Sequence, residues 1–367
     1  METFTDENER DAEVAGYSVT YISAVSVTLI LIIFSTIVGN FLVIITILAT
    51  RDLRTNVSYW LLLSLAFSDV LVSVLVMPLS LKRELQTRWT SGPVLCDIWI
   101  SLDVTCCTVS ILNIAAIAVD RFCSITQKTT YVANRRLINL TLVPAIWLLS
   151  FVISLPPLFG WREEQNHGDP EQCLISQDLG YTVFSTFGAF YLPLAVMLVC
   201  YCKIYRIARA SFRRRATRVL PYVPRAQAYR NTDKTFRGTR TTPGTARGIE
   251  LDAIALHNVT KTFADSRPAS VRSGLVHSSN ERRAVVTLGV LMGVFIICWF
   301  PFFIQATVLP FCRICAEKLP SQLSSFVLWL GYCNSLLNPL IYTFCNKDYR
   351  AAFKKLFCNT TPITAIL

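Results

Sequence analysis

The stretch SLDVTCCTVSILNIAAIAVDRF, Ser101 to Phe122, decides the fold. It is apolar over most of its length, contains neither proline nor glycine, and is long enough to cross the roughly 30 Å hydrocarbon core of a bilayer as a helix. Yet Asp103 stands near one end and the pair Asp120-Arg121 at the other. Ionisable groups in a membrane helix are costly unless paired or hydrated, so each is a functional candidate by default. Asp103 and Asp120 are seventeen positions apart, about 26 Å along a helix axis, and cannot share a site. One helix therefore carries two separate charged devices.

The rest of the chain agrees with a membrane reading. Of 367 residues 53% are hydrophobic and only 16% charged, too apolar for a water-soluble domain of this length. Seven apolar stretches can span a bilayer: about 20–48, 58–80, 94–119, 138–160, 181–202, 284–310 and 322–345. An all-α membrane protein is expected, a seven-transmembrane helix bundle. Residues Met1 to Ala15 are acidic and do not form a cleavable signal peptide, so the first span would serve for targeting.

The net charge of +11 raises nucleic acid as a partner, but its placement excludes that. Arg51 and Arg54, the segment Arg121 to Arg136, and the segment Arg206 to Arg283 all fall on one side of an odd-spanning chain. Basic loops stay cytoplasmic, so the N-terminus is expected outside and the C-terminus inside. The main role of these basic residues is then topology together with membrane-lipid headgroup contact.

Five regions are expected: an outer tail 1–19, spans one to five over 20–206, a long inner loop 207–280, spans six and seven over 281–345, and a tail 346–367. The long loop is rich in Arg, Thr, Ser and Ala, is broken by four prolines and lacks an apolar period, which reads as disorder beyond its helical ends. In NKDYRAAFKKLF, Asn346 to Phe357, aromatic and aliphatic residues fall at helical spacing between Arg350, Lys354 and Lys355. That describes a short amphipathic eighth helix on the membrane surface. Cys358 follows as a candidate palmitoylation site, an unmodified cysteine being the equal alternative.

Thirteen cysteines do not form a disulfide scaffold, since most lie inside apolar spans. On the outer side, Cys96 and Cys173 are in place to bridge, and Cys312 and Cys315 to pair locally. No second Cys pair completes a zinc site. The chain has no GxGxxG, Walker, GxSxG or HExxH motif and no histidine in a span, which argues against an enzyme. The glycosylation patterns at Asn56, Asn139, Asn258 and Asn359 fall on or near the inner side and are expected to be unused.

Besides the charges of the third span, Asp69 lies in the second. Asp103 needs a cation, and no Lys or Arg appears in the outer halves of the spans as delimited above, which favours a ligand ammonium over a structural partner. Trp299, Phe302 and Phe303 on span six, with Trp329 and Tyr332 on span seven, can stabilise an ammonium or stack on a ring, although aromatic stripes in spans more often serve packing.

Together these residues resemble the rhodopsin-like (class A) G-protein-coupled receptors. The motifs are Gly39-Asn40, SLAFSD with Asp69, the DRF at Asp120 to Phe122, Trp147, Pro193, Tyr201, CWFPFF at Cys298 to Phe303 and NPLIY at Asn338 to Tyr342. Within that class YTVFSTFGAFYLPL, Tyr181 to Leu194, and WLGYCNSLLNPLIY, Trp329 to Tyr342, are most similar to aminergic receptors of the type-1 serotonin group. The resemblance implies that Asp103 binds a ligand ammonium, with Tyr332 hydrogen-bonded to that carboxylate. Val104, Cys107 and Thr108 would line the pocket, and Ile175 would cover it. Catecholamine receptors offer several serines on span five. Here Ser185, Thr186 and Ala189 suit the single hydroxyl and larger indole of serotonin.

For the inner device the resemblance implies a resting latch in which Arg121 bridges Asp120 and Glu281. Ligand contact with Trp299, Phe302 and Phe303 would swing span six outward around Pro301 and free Arg121 for a G protein, with Tyr201, Asn338, Pro339 and Tyr342 as further switch residues. Asp69, Ser110 and Asn334 match an allosteric sodium site; no other cofactor is implied. The long third inner loop resembles receptors coupled to the inhibitory Gi/o proteins, and arrestin and receptor kinases are possible partners. Phe122 replaces a tyrosine, Lys128 a proline and Leu328 an asparagine or threonine of the family pattern, which suggests a divergent, invertebrate relative. Three alternatives stay open: a receptor for dopamine, tyramine or octopamine; a secondary transporter, disfavoured because no internal repeat is found; and a non-signalling scaffold.

Overall fold

The computed structural model describes residues 19–86, 89–127, 130–161, 173, 175–176, 178–219 and 269–357. The N-terminal tail, Lys128, most of the third loop and Cys358 lie outside the described residues. Two units are distinguished. The first comprises Met1–Ile204 and Val285–Leu367; the second, Tyr205–Ala284, is described only where it continues two of the helices.

The helices are α1 (Val19–Ala49), α2 (Ser58–Gln86), α3 (Pro93–Thr126), α4 (Thr130–Ser154), α5 (179–219), α6 (Ala269–Val308), α7 (Ser321–Cys345) and α8 (Lys347–Phe357). Six of the first seven are long and apolar enough by composition to cross a membrane. The remaining one, α7, is 25 residues long, about 37 Å at the helical rise. It is less apolar because Tyr332, Asn334, Ser335, Asn338 and Tyr342 are buried within the unit rather than turned outward. Helices suit this setting because every backbone N–H and C=O is paired inside its own segment.

α3 is enclosed on most of its circumference, whereas α1 and α4 leave most of their surface outward. The core runs along α3 through Val109, Ile111, Ile114 and Ala118, with Leu61 and Leu65 of α2 and Phe295 of α6. Side-chain amides and hydroxyls pin neighbouring helices. Asn40 of α1 donates to the Ser335 carbonyl of α7 at 3.0 Å, and Gly39 lets Pro339 approach until a β-carbon there would stand 3.1 Å from its ring. Ser64 of α2 receives both Asn113 Nδ2 of α3 and Trp147 Nε1 of α4, each at 3.1 Å.

Several helix limits differ from those expected. α4 begins at Thr130 rather than near 138 and stops at Ser154 rather than near 160, where Pro156–Phe159 forms a 3-10 turn closed by Gly160 at φ +98°. Two successive prolines remove the donors a continuing helix needs, and glycine accepts the left-handed conformation without a Cβ clash. α2 continues to Gln86 rather than 80. The segments 207–219 and 269–280, the two ends of the long loop, continue α5 and α6 as helix.

Two wide π turns, Val72–Val76 in α2 and Phe187–Tyr191 in α5, were also not anticipated. Each ends two residues before a proline, Pro78 and Pro193, so the turn takes up the missing N–H and the ring clash without breaking the helix. Cys96–Cys173 ties the start of α3 to the segment before α5, and Cys312–Cys315 closes the short loop before α7. The end of the bundle carrying the first bridge is called the disulfide end, the opposite one the α8 end. α8 starts on Asn346, whose side chain accepts from the N–H groups of Asp348 and Tyr349 at 3.1 and 3.2 Å, an N-cap arrangement. It buries Tyr349 and Ala352 and exposes Lys354 and Lys355, the amphipathic pattern expected.

Candidate functional site

Near the disulfide end, Asp103 of α3 is 7% exposed. Cys107, one turn along the same helix, donates its thiol to Asp103 Oδ1 at 3.3 Å. The Tyr332 hydroxyl of α7 faces the same carboxylate and shares a hydrogen bond with Ser80 Oγ of α2 at 3.2 Å. Trp329 stands edge-on to Tyr332, with ring centroids 5.5 Å apart. On α6, Trp299, Phe302 and Phe303 form a cluster with centroid separations of 5.3 to 5.9 Å. Phe190 of α5 stacks on Phe303 at 4.3 Å and joins the two helices.

The α5 residues are arranged differently. Ser185 is half-buried, Thr186 and Ala189 are buried, and both hydroxyls donate to the Thr182 carbonyl of their own helix, at 3.3 and 2.6 Å. These contacts do not include the Asp103 cluster. Val104 and Cys107 are half-buried and Thr108 buried on α3; Ile175 is half-buried two residues beyond the bridged Cys173. The thiol and phenol beside Asp103 are neutral donors, weaker partners for a buried carboxylate than a cation. The cluster can therefore bind a positively charged group, with aromatic faces close by.

Between the two ends of the bundle, Asp69 of α2 is fully buried. Its Oδ1 accepts from Ser110 at 2.9 Å and Ser335 at 2.8 Å, and its Oδ2 from Asn338 Nδ2 at 2.9 Å. Ser335 and Asn338 thus join Ser110 on the carboxylate; of the two residues expected to hold sodium with Asp69, Ser110 bonds to it directly. Asn334 lies one turn from Asn338 on α7, buried, with its Nδ2 unpartnered. One carboxylate with surrounding hydroxyl and amide oxygens is a donor set that fits a small monovalent cation, since an amide can present either end.

At the α8 end, Asp120 is bonded by two N–H groups of Arg135 and by the Tyr131 hydroxyl at 3.0 Å. Arg135 Nε lies 2.7 Å from Oδ1, and the second nitrogen pairs with Oδ2. Among the described residues Arg121, the expected partner, makes no ion pair with Asp120. The reason is the early start of α4, which puts Tyr131 and Arg135 on a helix facing α3 instead of in a loop. Burial pushes the Tyr131 phenol well above its ordinary pKa and keeps it a donor. Phe122 lacks the family hydroxyl but keeps the ring, over which the Lys203 ammonium sits at 5.5 Å. Tyr201 packs against Gly289 of α6, where a β-carbon would stand 2.9 Å from its hydroxyl. Tyr342 is buried with its hydroxyl unpartnered, and Pro339 lies against Gly39. Glu281 lies in α6, its side chain outside what is described.

Several residues of these sites had no expected role. Gly331 is needed because a β-carbon there would stand 2.8 Å from the Trp299 ring; a glycine between two aromatic site residues was its only sequence signal. The Trp299 and Trp329 indole N–H groups are buried without partners, two spare donors beside the cluster. Arg83 is the other omission. The absence of basic residues from the outer span halves held only for the shorter second span and is corrected by the extension of α2 to Gln86.

The model of the 7 transmembrane receptor (rhodopsin family) matches residues 39–342. The 5-hydroxytryptamine receptor 1A of Xenopus laevis is 40% identical, covering 88% of this chain and 89% of its own. The 5-hydroxytryptamine receptor 1A-alpha of Takifugu rubripes is 39% identical over 89% of this chain and 85% of its own. The human 5-hydroxytryptamine receptor 1F is 39% identical over 90% and 92%. With a buried carboxylate that faces the Tyr332 phenol and a match over most of its length, the chain belongs to the rhodopsin family of seven-transmembrane receptors and is a multi-pass membrane protein, not an enzyme.

Proposed function

We propose that this protein is a plasma-membrane receptor for serotonin that activates a heterotrimeric G protein of the inhibitory Gi/o class and lowers cyclic AMP. The observation that carries the reading is Asp103, buried against two neutral donors, the Cys107 thiol and the Tyr332 phenol on which Trp329 packs edge-on. The ammonium of the amine pairs with Asp103, and Tyr332 orients that carboxylate. Ser185 and Thr186 offer hydroxyls to the single ring hydroxyl, and Ala189 leaves room for the indole. Val104, Cys107, Thr108 and Ile175 complete the enclosure. The names of the 5-hydroxytryptamine receptors reported above support serotonin over other amines.

The disulfide end faces outward and the α8 end the cytoplasm, in keeping with the basic residues near the latter. Ligand packed on Trp299, Phe302 and Phe303 favours the arrangement of α6 that opens around Pro301 and exposes Arg121 to the G protein. The two arrangements differ in free energy by the ligand's differential affinity for them. Asp69, Ser110 and Asn334 would hold a sodium ion, whose charge, when bound, neutralises Asp69 and favours the resting arrangement. Glu281 is assigned as the resting partner of Arg121, with Tyr201, Asn338, Pro339 and Tyr342 as further switch residues. Arrestin and receptor kinases act from the cytoplasmic side, inner-leaflet lipids meet α8, and Cys358 is a palmitoylation site.

The test is a dose-response panel of serotonin, dopamine, tyramine and octopamine with a cyclic AMP readout in cells expressing the receptor. Serotonin is expected to be the most potent; greater potency of a catecholamine or phenolamine overturns the indoleamine assignment. In the same cells Arg121→Ala is expected to abolish suppression of cyclic AMP while binding persists.

A further inference from the structure

Arg83 stands near the disulfide end of α2, and its guanidinium lies over the Trp99 ring, 5.7 Å from the centroid. Trp99 precedes Asp103 by one turn of α3, so the two share a helix face. A group over Trp99 therefore sits about 6 Å along the axis from the carboxylate, toward the disulfide end. The two charges act on each other electrostatically, and Tyr332 lies within the field of Arg83 as well.

The platform beneath Arg83 is fixed. The Trp99 indole donates to the Val76 carbonyl at 3.2 Å, and its ring stacks on Trp89 at 5.2 Å. The neighbouring charges are engaged elsewhere. Glu84 accepts from Ser325 Oγ of α7 at 2.7 Å, and Lys82 donates to Ser91 Oγ at 2.7 Å. Glu84, the adjacent residue, also acts on Arg83, more strongly than Tyr332 or Asp103, but does not close onto the guanidinium. Among the described residues Arg83 makes no ion pair. A half-buried cation thus stands one turn from a buried anion, toward the disulfide end.

We propose that Arg83 is a second ligand-recognition group, one that favours amines whose nitrogen carries a chain ending in a carboxylate and disfavours amines carrying a second positive charge. The proposal rests on the amine reading of Asp103. A chain of about five atoms spans the one-turn separation, and the planar guanidinium matches a carboxylate by two parallel hydrogen bonds. The same cation opposes a simple ammonium at Asp103, so removing it tightens the hold on serotonin itself. Three ligand types then respond to one substitution with different signs.

The experiment uses the full-length receptor in membranes and displacement of radiolabelled serotonin. Three probes are compared: serotonin, serotonin N-alkylated with a 4-carboxybutyl chain, and serotonin N-alkylated with a 4-(trimethylammonio)butyl chain. Arg83→Gln is expected to weaken the carboxylate probe about tenfold, to strengthen the dicationic probe by a similar factor and to strengthen serotonin about two- to threefold. Arg83→Lys retains the wild-type order. An equal loss for all three probes in Arg83→Gln would mean that Arg83 only supports the Trp99 platform, and an unchanged carboxylate probe would mean that the charge is not read; either overturns the proposal. Asp103→Asn separates the two levels. If it leaves all three affinities at wild-type values, the amine reading fails; if it lowers all three, that reading stands whatever Arg83 does.

Discussion

The two ends of α3 hold carboxylates of the same chemistry in opposite electrostatic conditions. Asp120 receives two N–H groups of Arg135 and a phenol, a charge-assisted set that leaves little unmet demand. Asp103 receives a thiol and faces a phenol, both neutral, and the Arg83 guanidinium stands over Trp99 rather than on the carboxylate. The difference separates a carboxylate used as a fastening from one kept receptive. A buried anion with a bidentate arginine has its counter-charge inside the protein, whereas one with neutral donors gains most from a counter-charge that arrives from outside.

That contrast is broken most directly at Asp103. Asp103→Asn keeps the shape and removes the charge; serotonin affinity is expected to fall at least about hundredfold, the cost of losing one member of a buried charge pair. Equal radioligand binding by mutant and wild type would remove the receptive role. At the other end, Arg135→Ala leaves Asp120 buried with Tyr131 alone. A thermal shift of the detergent-solubilised receptor should drop by several degrees, since an uncompensated buried charge costs about 3–5 kcal/mol unless a new partner is found. Arg121 is the adjacent candidate partner, so basal suppression of cyclic AMP is expected to fall as well, while serotonin affinity changes far less than in Asp103→Asn.

Asp69 lies between the two devices and sharpens the comparison, because its partners are neutral and come from two other helices. Asp69→Asn is expected to abolish the sodium dependence of agonist affinity, measured with sodium and an equal concentration of a large organic cation; a persisting sodium effect places the ion elsewhere. The smallest effect is expected at Gly331. A β-carbon 2.8 Å from Trp299 forces that ring to shift, an overpacking cost of about 1–3 kcal/mol, so Gly331→Ala should lower agonist potency a few-fold with expression retained. Unchanged potency would mean that the ring yields without consequence for α6.

Much of this is legible in the order of residues alone. Hydropathy over 20-residue windows locates the spans because burial in lipid is a property of a whole segment, and the helical rise is enough to separate Asp103 from Asp120. Helix limits are less legible. The prolines at 78 and 193 are visible, yet whether a helix breaks or takes a wide turn at a proline depends on the packing around it. The early start of α4 and late end of α2 follow from helix continuing past the lipid boundary, where residues such as Arg83 and Arg135 are polar and carry no apolar signal. These extensions supply the two guanidinium groups that distinguish the ends of α3.

By itself the sequence determined that the chain is a bundle of membrane helices, which side carries the basic residues, and that Asp69, Asp103 and Asp120 are intramembrane charges needing an account. Each follows from composition and spacing along one helix. Only the tertiary structure decided their partners: Arg135 rather than Arg121 for Asp120, Ser335 and Asn338 for Asp69, and Trp99 beneath Arg83. Those pairings depend on the rotation, length and closeness of neighbouring helices, which no single helix encodes.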